Sequence, residues 1–285
     1  MRAHVNGVDL YFDVISSGLT VDFTGDRDKP VLFVQHGGPG ADHSYFRPWL
    51  DPLGEVAQVV YVDHRGTGRS SQAPLETYTI EQIADDIDAL RHHLGLGQIM
   101  FLGHSFGGMV GQVLDGRHPG SLSKLILSHT APDWGFWAEA QENAMRIATP
   151  EQKEVFRELF EGSLSNQAEY EAWWRSCYPL YFRHPDPEVL DQLAVRSKGK
   201  FEVASHMMAN ELPKFDALGS LPAVQVPTLV LASAHDWVTP PSQAERIVQA
   251  LPNARYVLFE DSGHEPFAGE EQQAYLDAVS TFIRA

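Results

Sequence analysis

Short, almost wholly apolar runs punctuate the chain: Val31-Leu32-Phe33-Val34, Gln58-Val59-Val60-Tyr61-Val62, Ile99-Met100-Phe101-Leu102, Leu125-Ile126-Leu127 and Thr228-Leu229-Val230-Leu231. A strand with one wet face alternates polar and apolar residues, whereas unbroken runs of this length suit strands covered on both faces, so they predict a parallel sheet. At the N-terminus, Asn6-Gly7 stands between alternating segments, and that dipeptide predicts a hairpin of two antiparallel strands. Between the apolar runs the period changes. Ile80, Ile83, Ile87, Leu90 and Leu94 recur at three- and four-residue spacing, Thr79 and Gln82 form a capping-box pair, and Gly95 stands where a left-handed residue closes a helix. Strands alternating with helices imply right-handed crossovers and a doubly wound α/β sheet.

From about Pro132 to Pro222 this rhythm stops. Helix-like charged segments replace the strand runs, and the stretch holds 13 of the chain's 30 aromatic residues, among them Trp134, Trp137, Trp173 and Trp174. The expected organisation is therefore a core from residues 1–131 and 223–285 with an inserted helical lid at 132–222. Most of the lid aromatics are expected to form its own core, since large rings dominate packing, with a few facing the pocket.

Composition narrows the partners. A formal charge of −17 over 285 residues, with no cluster of Lys and Arg to offset it, repels phosphate backbones and excludes nucleic acid. No apolar stretch is long enough to span a membrane, and no secretory apolar segment follows Met1, so a cytoplasmic location is expected. Cys177 is the only cysteine; it cannot form an intramolecular disulfide or a cysteine-rich metal site and is expected to be a small buried side chain.

The chemistry centres on Gly103-His104-Ser105-Phe106-Gly107. A G-x-S-x-G string arises by chance in roughly one chain in ten of this length, so its placement carries the argument: an apolar strand precedes it and a helix-like stretch follows, the setting of a nucleophile elbow. An alcohol is a poor nucleophile at neutral pH, and Ser105 needs an imidazole to take its proton and an acid to orient that imidazole. Chain order Ser, Asp, His and placement after parallel strands select Asp236, after the Thr228–Leu231 run, and His264, after Tyr256-Val257-Leu258-Phe259. Asp133, at the end of the neighbouring strand, competes for the acid's role, while Asp63 is expected to satisfy loop amides near the elbow. His92 and His93 fall on the polar end of a helix, and no His-Glu-x-x-His pattern occurs, so no metal and no cofactor are expected. The developing oxyanion needs two N–H donors. Phe106 supplies one, and Gly38, in the loop His36-Gly37-Gly38-Pro39-Gly40 after the Val31–Val34 strand, supplies the other.

These strings, together with Asp63-His64-Arg65-Gly66-Thr67-Gly68-Arg69-Ser70 and Ser262-Gly263-His264, resemble the proline iminopeptidase family of α/β-hydrolases, peptidases of the S33 type. The resemblance runs from about residue 30 to the C-terminus. It implies a helical lid, the triad Ser105, Asp236 and His264, an oxyanion hole from Gly38 and Phe106, and lid and loop carboxylates that hold the substrate's ammonium. Glu211 lies where the lid glutamate is expected, with Gly37 and Trp237 as further substrate contacts. Trp237 occupies the place of an acidic residue that often follows the acid of the triad, which removes one carboxylate; Glu265, beside His264, is expected to be solvated. The expected partner is thus a short peptide or small molecule whose small N-terminal residue, proline or similar, is released through an acyl-enzyme. The alternative is an esterase or lactonase acting on an apolar acyl group without an amine. A ligand-binding receptor without catalysis would not need all three triad groups, and a serine at position 105 excludes chemistry that needs an acidic nucleophile.

Overall fold

The computed structural model describes residues 1–22, 25–197 and 199–285. Among the described residues there are ten strands: β1 Arg2–Val5, β2 Val8–Ile15, β3 Leu19–Asp22, β4 Gly25–Asp28, β5 Val31–Gln35, β6 Gln58–Val62, β7 Ile99–His104, β8 Leu122–Ser128, β9 Thr228–Ser233 and β10 Ala254–Phe259. Among the same residues nine α-helices accompany them: α1 Ile80–His93, α2 Phe106–Arg117, α3 Phe136–Ile147, α4 Pro150–Phe160, α5 Gln167–Cys177, α6 Pro187–Arg196, α7 Phe201–Asn210, α8 Pro241–Ala250 and α9 Gln272–Arg284.

Eight strands form one sheet in the order β1-β2-β6-β5-β7-β8-β9-β10. β1 pairs antiparallel with β2, and β2 antiparallel with β6; every other pairing in this sheet is parallel. The opening hairpin turns at Asn6 and Gly7, both at positive φ, as a two-residue primed turn requires. The apolar runs become the sheet's interior, with all six residues of β7 and all six of β9 buried. A fully buried Leu, Ile or Phe side chain contributes about 1.5–3 kcal/mol relative to exposure, so these strands hold the molecule together.

α1 begins at Thr79, whose side chain accepts the Gln82 amide at 3.0 Å, and Gly95 beyond its end lies at φ +68°. Only half of the expected capping box forms, because Gln82 Nε2 donates along the helix to Asp86 Oδ1 at 3.2 Å instead. β3 and β4 form a separate two-stranded ribbon that the hydrophobic pattern does not announce: Gly-Asp-Arg-Asp in β4 is exposed throughout and poor in strand-forming residues.

From β5 the chain passes to β6 on one side and then returns to β7 on the other. The crevice at the carboxyl ends of β5 and β7 is therefore the switch point of the sheet, where ligands of open α/β sheets bind. Between β8 and β9 the chain leaves the sheet for α3 through α7, within the span expected to be a lid; position 198 of that span lies outside the described residues.

Candidate active site

Ser105 sits between β7 and α2 at φ 55°, ψ −121°, a region that a residue with a side chain enters only at a cost of about 1–3 kcal/mol. The surroundings hold it there. Its N–H donates to Ser128 O at 2.9 Å, and its carbonyl accepts from Gly108 N at 2.9 Å and Thr130 Oγ1 at 2.8 Å. The elbow is tight enough that a Cβ on Gly103 would lie 2.2 Å from Gly107 O, and one on Gly107 would lie 2.5 Å from Gln35 O. Backbone meets backbone at both positions, so only glycine fits.

The other two sequence-selected residues come together at the same edge of the sheet. His264 Nδ1 donates to Asp236 Oδ2 at 2.7 Å, with both side chains buried. Asp236 is fixed by its own loop: Oδ1 accepts the amides of Val238 and Thr239 at 2.8 and 3.0 Å, and Oδ2 accepts Thr239 Oγ1 at 2.9 Å. With Nδ1 committed as a donor, His264 Nε2 is the nitrogen left to accept a proton. Ser105 Oγ forms no hydrogen bond with His264 among the described residues; in sites without substrate this contact is commonly long and tightens on binding. Asp133 lies elsewhere, bound to Arg246 of α8 and to the Gly135 amide.

The loop after β5 lies directly on the elbow, since a Cβ on Gly37 would be 2.9 Å from Ser105 Cβ. His36 braces it, donating from Nδ1 to Gly37 O at 2.8 Å and accepting the His64 amide on Nε2 at 3.1 Å. The Gly37 N–H donates to Tyr45 Oη at 2.7 Å, whereas the amides of Gly38 and Phe106 have no partner among the described residues. Unpaired amides at a helix start and in a glycine loop are what a developing oxyanion requires. Asp63 accepts the His43 amide and Nδ1 at 3.0 and 2.6 Å on one oxygen and the Arg69 amide at 2.8 Å on the other. Burial, the largest single influence, would push its carboxyl up, but the hydrogen bonds and charge of His43 together with the charge of His36 hold it below the usual range. Asp42, His43 and Asp63 also place one ligand atom each within 4.8 Å of one another, yet Asp63 spends both oxygens on these loop donors.

The expected substrate contacts divide. Trp237 is buried in an aromatic wall, edge-on to Phe156 at 5.1 Å and to Tyr181 at 5.4 Å, and Tyr181 stands edge-on to His264 at 5.4 Å. Glu211 caps the end of α7 and pairs with Lys214 at 3.2 Å. Glu265 overturns its expectation. Rather than being solvated it is 4% exposed, with both carboxyl oxygens reached by Tyr178 Oη at 2.9 and 2.7 Å. The insertion folds back onto this loop, with the His264 amide donating to Tyr181 O at 2.7 Å, and neighbours so distant in sequence leave no mark near residue 265. Burial pushes the Glu265 carboxyl up to about 7. In the same aromatic cluster the buried indole N–H groups of Trp173, Trp174 and Trp237 have no hydrogen-bond partner among the described residues. Cys177 is buried and unpaired, its thiol pushed up to about 12 by burial.

Among the described residues no helix is long and apolar enough to cross a membrane. The chain is similar to proline iminopeptidase PfmaB of Pestalotiopsis fici, 27% identical over 266 residues that cover 89% of this chain and 92% of that one. Its fold is similar to that of an esterase from Exiguobacterium antarcticum, with a TM-score of 0.77, 24% identity and coverage of 99% and 97% of the two chains. It is equally similar to that of the enol-lactonase from Burkholderia xenovorans LB400, with a TM-score of 0.77, 23% identity and complete coverage of both. The family model described as the alpha/beta hydrolase fold matches residues 30–271, and the chain belongs to that family.

Proposed function

We propose that the protein is a serine hydrolase in which Ser105 attacks a carbonyl carbon, His264 takes the hydroxyl proton and then delivers it to the leaving group, and Asp236 orients the imidazole and stabilises its charged form. The amides of Gly38 and Phe106 hold the oxyanion, and water releases the acyl group in a second cycle of the same steps. The observation that carries this reading is the buried Asp236–His264 pair at the sheet edge that also holds the strained Ser105 and two unpartnered amides. No cofactor enters the scheme. Residues 132–222 act as a lid that shields the acyl-enzyme.

We infer further that the acyl group is a small residue with a free amine, proline or similar, cleaved from a short peptide or small-molecule amide. The relatives named proline iminopeptidases support this, as does the carboxyl of Glu265 beside His264. It offers an ammonium the second carboxylate that Trp237 removes, with Glu211, at the end of α7, and Gly37, against Ser105, as the further substrate contacts. The alternative, an esterase or lactonase for an apolar acyl group, is favoured by the wall of Trp237, Phe156 and Tyr181.

Free-amine aminoacyl p-nitroanilides, their N-acetyl counterparts and p-nitrophenyl acyl esters separate the two. On the amine reading, N-acetylation abolishes cleavage. Glu265→Gln lowers kcat/KM for the free amines by roughly 10²-fold, on the order of 3 kcal/mol for leaving one charge of a buried pair alone, and hardly changes ester hydrolysis. Glu211→Gln does less, because Lys214 already neutralises that carboxylate. Equal rates on free and acetylated substrates would establish the esterase reading, and Ser105→Ala retaining more than a few per cent of turnover would remove the serine mechanism altogether.

A further inference from the structure

Two buried side chains that take no part in the proton transfers above join three parts of the site: the oxyanion loop, the elbow and the His264 loop. Tyr45, in the turn His43–Phe46, is packed against Phe46 and Phe267 with ring centroids 4.3 and 6.0 Å away. His104 is the residue before the nucleophile. The Gly37 N–H donates to Tyr45 Oη at 2.7 Å, Tyr45 Oη lies 2.8 Å from His104 Nδ1, and His104 Nε2 lies 2.9 Å from the carbonyl oxygen of His264.

Counting protons gives this chain one direction. A carbonyl only accepts, so His104 carries its proton on Nε2 and donates it to His264 O. A neutral imidazole then has a bare Nδ1, which must accept, so the single phenolic proton of Tyr45 points there; Oη is left to accept from Gly37, which only donates. Burial, with the neighbouring His264 adding to it, holds the His104 imidazole well below its usual range, and burial keeps the Tyr45 phenol protonated, so each group remains in the form that this counting requires. No bond in the chain can reverse without leaving a buried donor unpaired, which costs about 1–3 kcal/mol.

We propose that Tyr45 and His104 are positioning residues for acyl transfer, a one-way hydrogen-bond relay that aligns the oxyanion loop and the backbone of His264 with Ser105. The inference rests on the serine-hydrolase reading. With the Gly37 amide tied to Tyr45, the adjoining Gly38 amide is the one left for the substrate. His104, covalently next to Ser105, ties the loop carrying the base to the phenol carrying the oxyanion loop, so all three catalytic parts are referenced to one imidazole.

The test compares Tyr45→Phe, His104→Leu and His104→Gln with the wild type on its fastest substrate, together with the affinity of an alkylboronic acid, which mimics the tetrahedral state on Ser105, and thermal unfolding. Misplacing an oxyanion donor costs roughly 10- to 100-fold. Tyr45→Phe, which keeps the ring and its packing, should lower kcat by that factor with KM within about threefold, and weaken the boronic acid by the same factor. His104→Leu should behave alike. His104→Gln, whose amide nitrogen reaches the Nε2 position and can donate to His264 O, should recover part of the loss. Tyr45→Phe with unchanged kcat and boronic acid affinity, whatever its melting temperature, would reduce the relay to packing. If instead the wild type binds no boronic acid and Ser105→Ala stays active, the serine-hydrolase reading itself fails, a result distinguishable from failure of the relay alone.

Discussion

Asp236 accepts four hydrogen bonds, from two amides, a hydroxyl and the His264 imidazole, so its carboxylate is specified atom by atom. An amide in its place must turn an NH₂ toward groups that already donate. Asp236→Asn should therefore hold His264 in the wrong tautomer and cut kcat by about 10³-fold or more. Asp133→Asn weakens an ion pair with Arg246 at a partly exposed site and should cost at most about 1 kcal/mol of stability with little effect on kcat. Steady-state kinetics of both variants checks the assignment, and reversed effects would move the acid to the end of β8.

At the scale of elements, β7, the elbow and α2 behave as one unit because α2 starts directly against the end of β5. A Cβ on Gly107 would meet Gln35 O at 2.5 Å and His36 O at 2.7 Å, and neither backbone oxygen can step aside without shifting the loop that carries Gly38. Gly107→Ala is expected to destabilise by about 2 kcal/mol or more and to abolish most activity. Gly116, in the same helix, has nothing within 4 Å of its Cβ position, so Gly116→Ala should stabilise by roughly 0.5–1 kcal/mol. Urea midpoints for the pair measure both; equal effects would mean that the first turn of α2 yields to accommodate a side chain.

For the molecule as a whole, buried titratable groups link stability to pH from two sides. Burial holds the imidazoles of His64, His104 and His129 well below their ordinary 6.5. The unfolded chain therefore binds protons there that the folded chain refuses, and stability is lost as pH falls below about 6.5. Glu265 acts in the opposite sense. Its carboxyl rises from 4.5 to about 7 through burial, so the folded chain holds the extra proton, and the stability this contributes below 4.5 is lost as pH rises toward 7. Glu265→Gln cannot ionise and still accepts from Tyr178. Its stability relative to wild type should increase by up to about 3 kcal/mol between pH 4.5 and 8, measured by denaturant unfolding across that range. A difference independent of pH would mean that Glu265 is ionised throughout.

The amino-acid sequence by itself determined whatever follows from local period and chain order. Unbroken apolar runs became the buried parallel strands β5 to β9, Asn6-Gly7 became the opening turn, and Ser105, Asp236 and His264, chosen for following strand runs, stand just beyond the ends of β7, β9 and β10. Asp63 was expected to bind loop amides and does so. What depends on a partner far along the chain was settled only by the tertiary structure. Glu265 stands in a polar loop, and only the return of the Tyr178–Tyr181 turn from 87 residues earlier buries it. Gln82 spends its side chain donating to Asp86, one turn along α1, rather than accepting the Thr79 N–H. Gly38 was expected to be the oxyanion donor, and the reason is tertiary: Tyr45, eight residues from Gly37, accepts the Gly37 amide, while the Gly38 amide has no partner among the described residues. Local patterns encode where the backbone goes, because they act through each residue's own conformational energy and burial. Which donor meets which acceptor inside the site is decided by packing between segments up to 160 residues apart, as between His104 and His264.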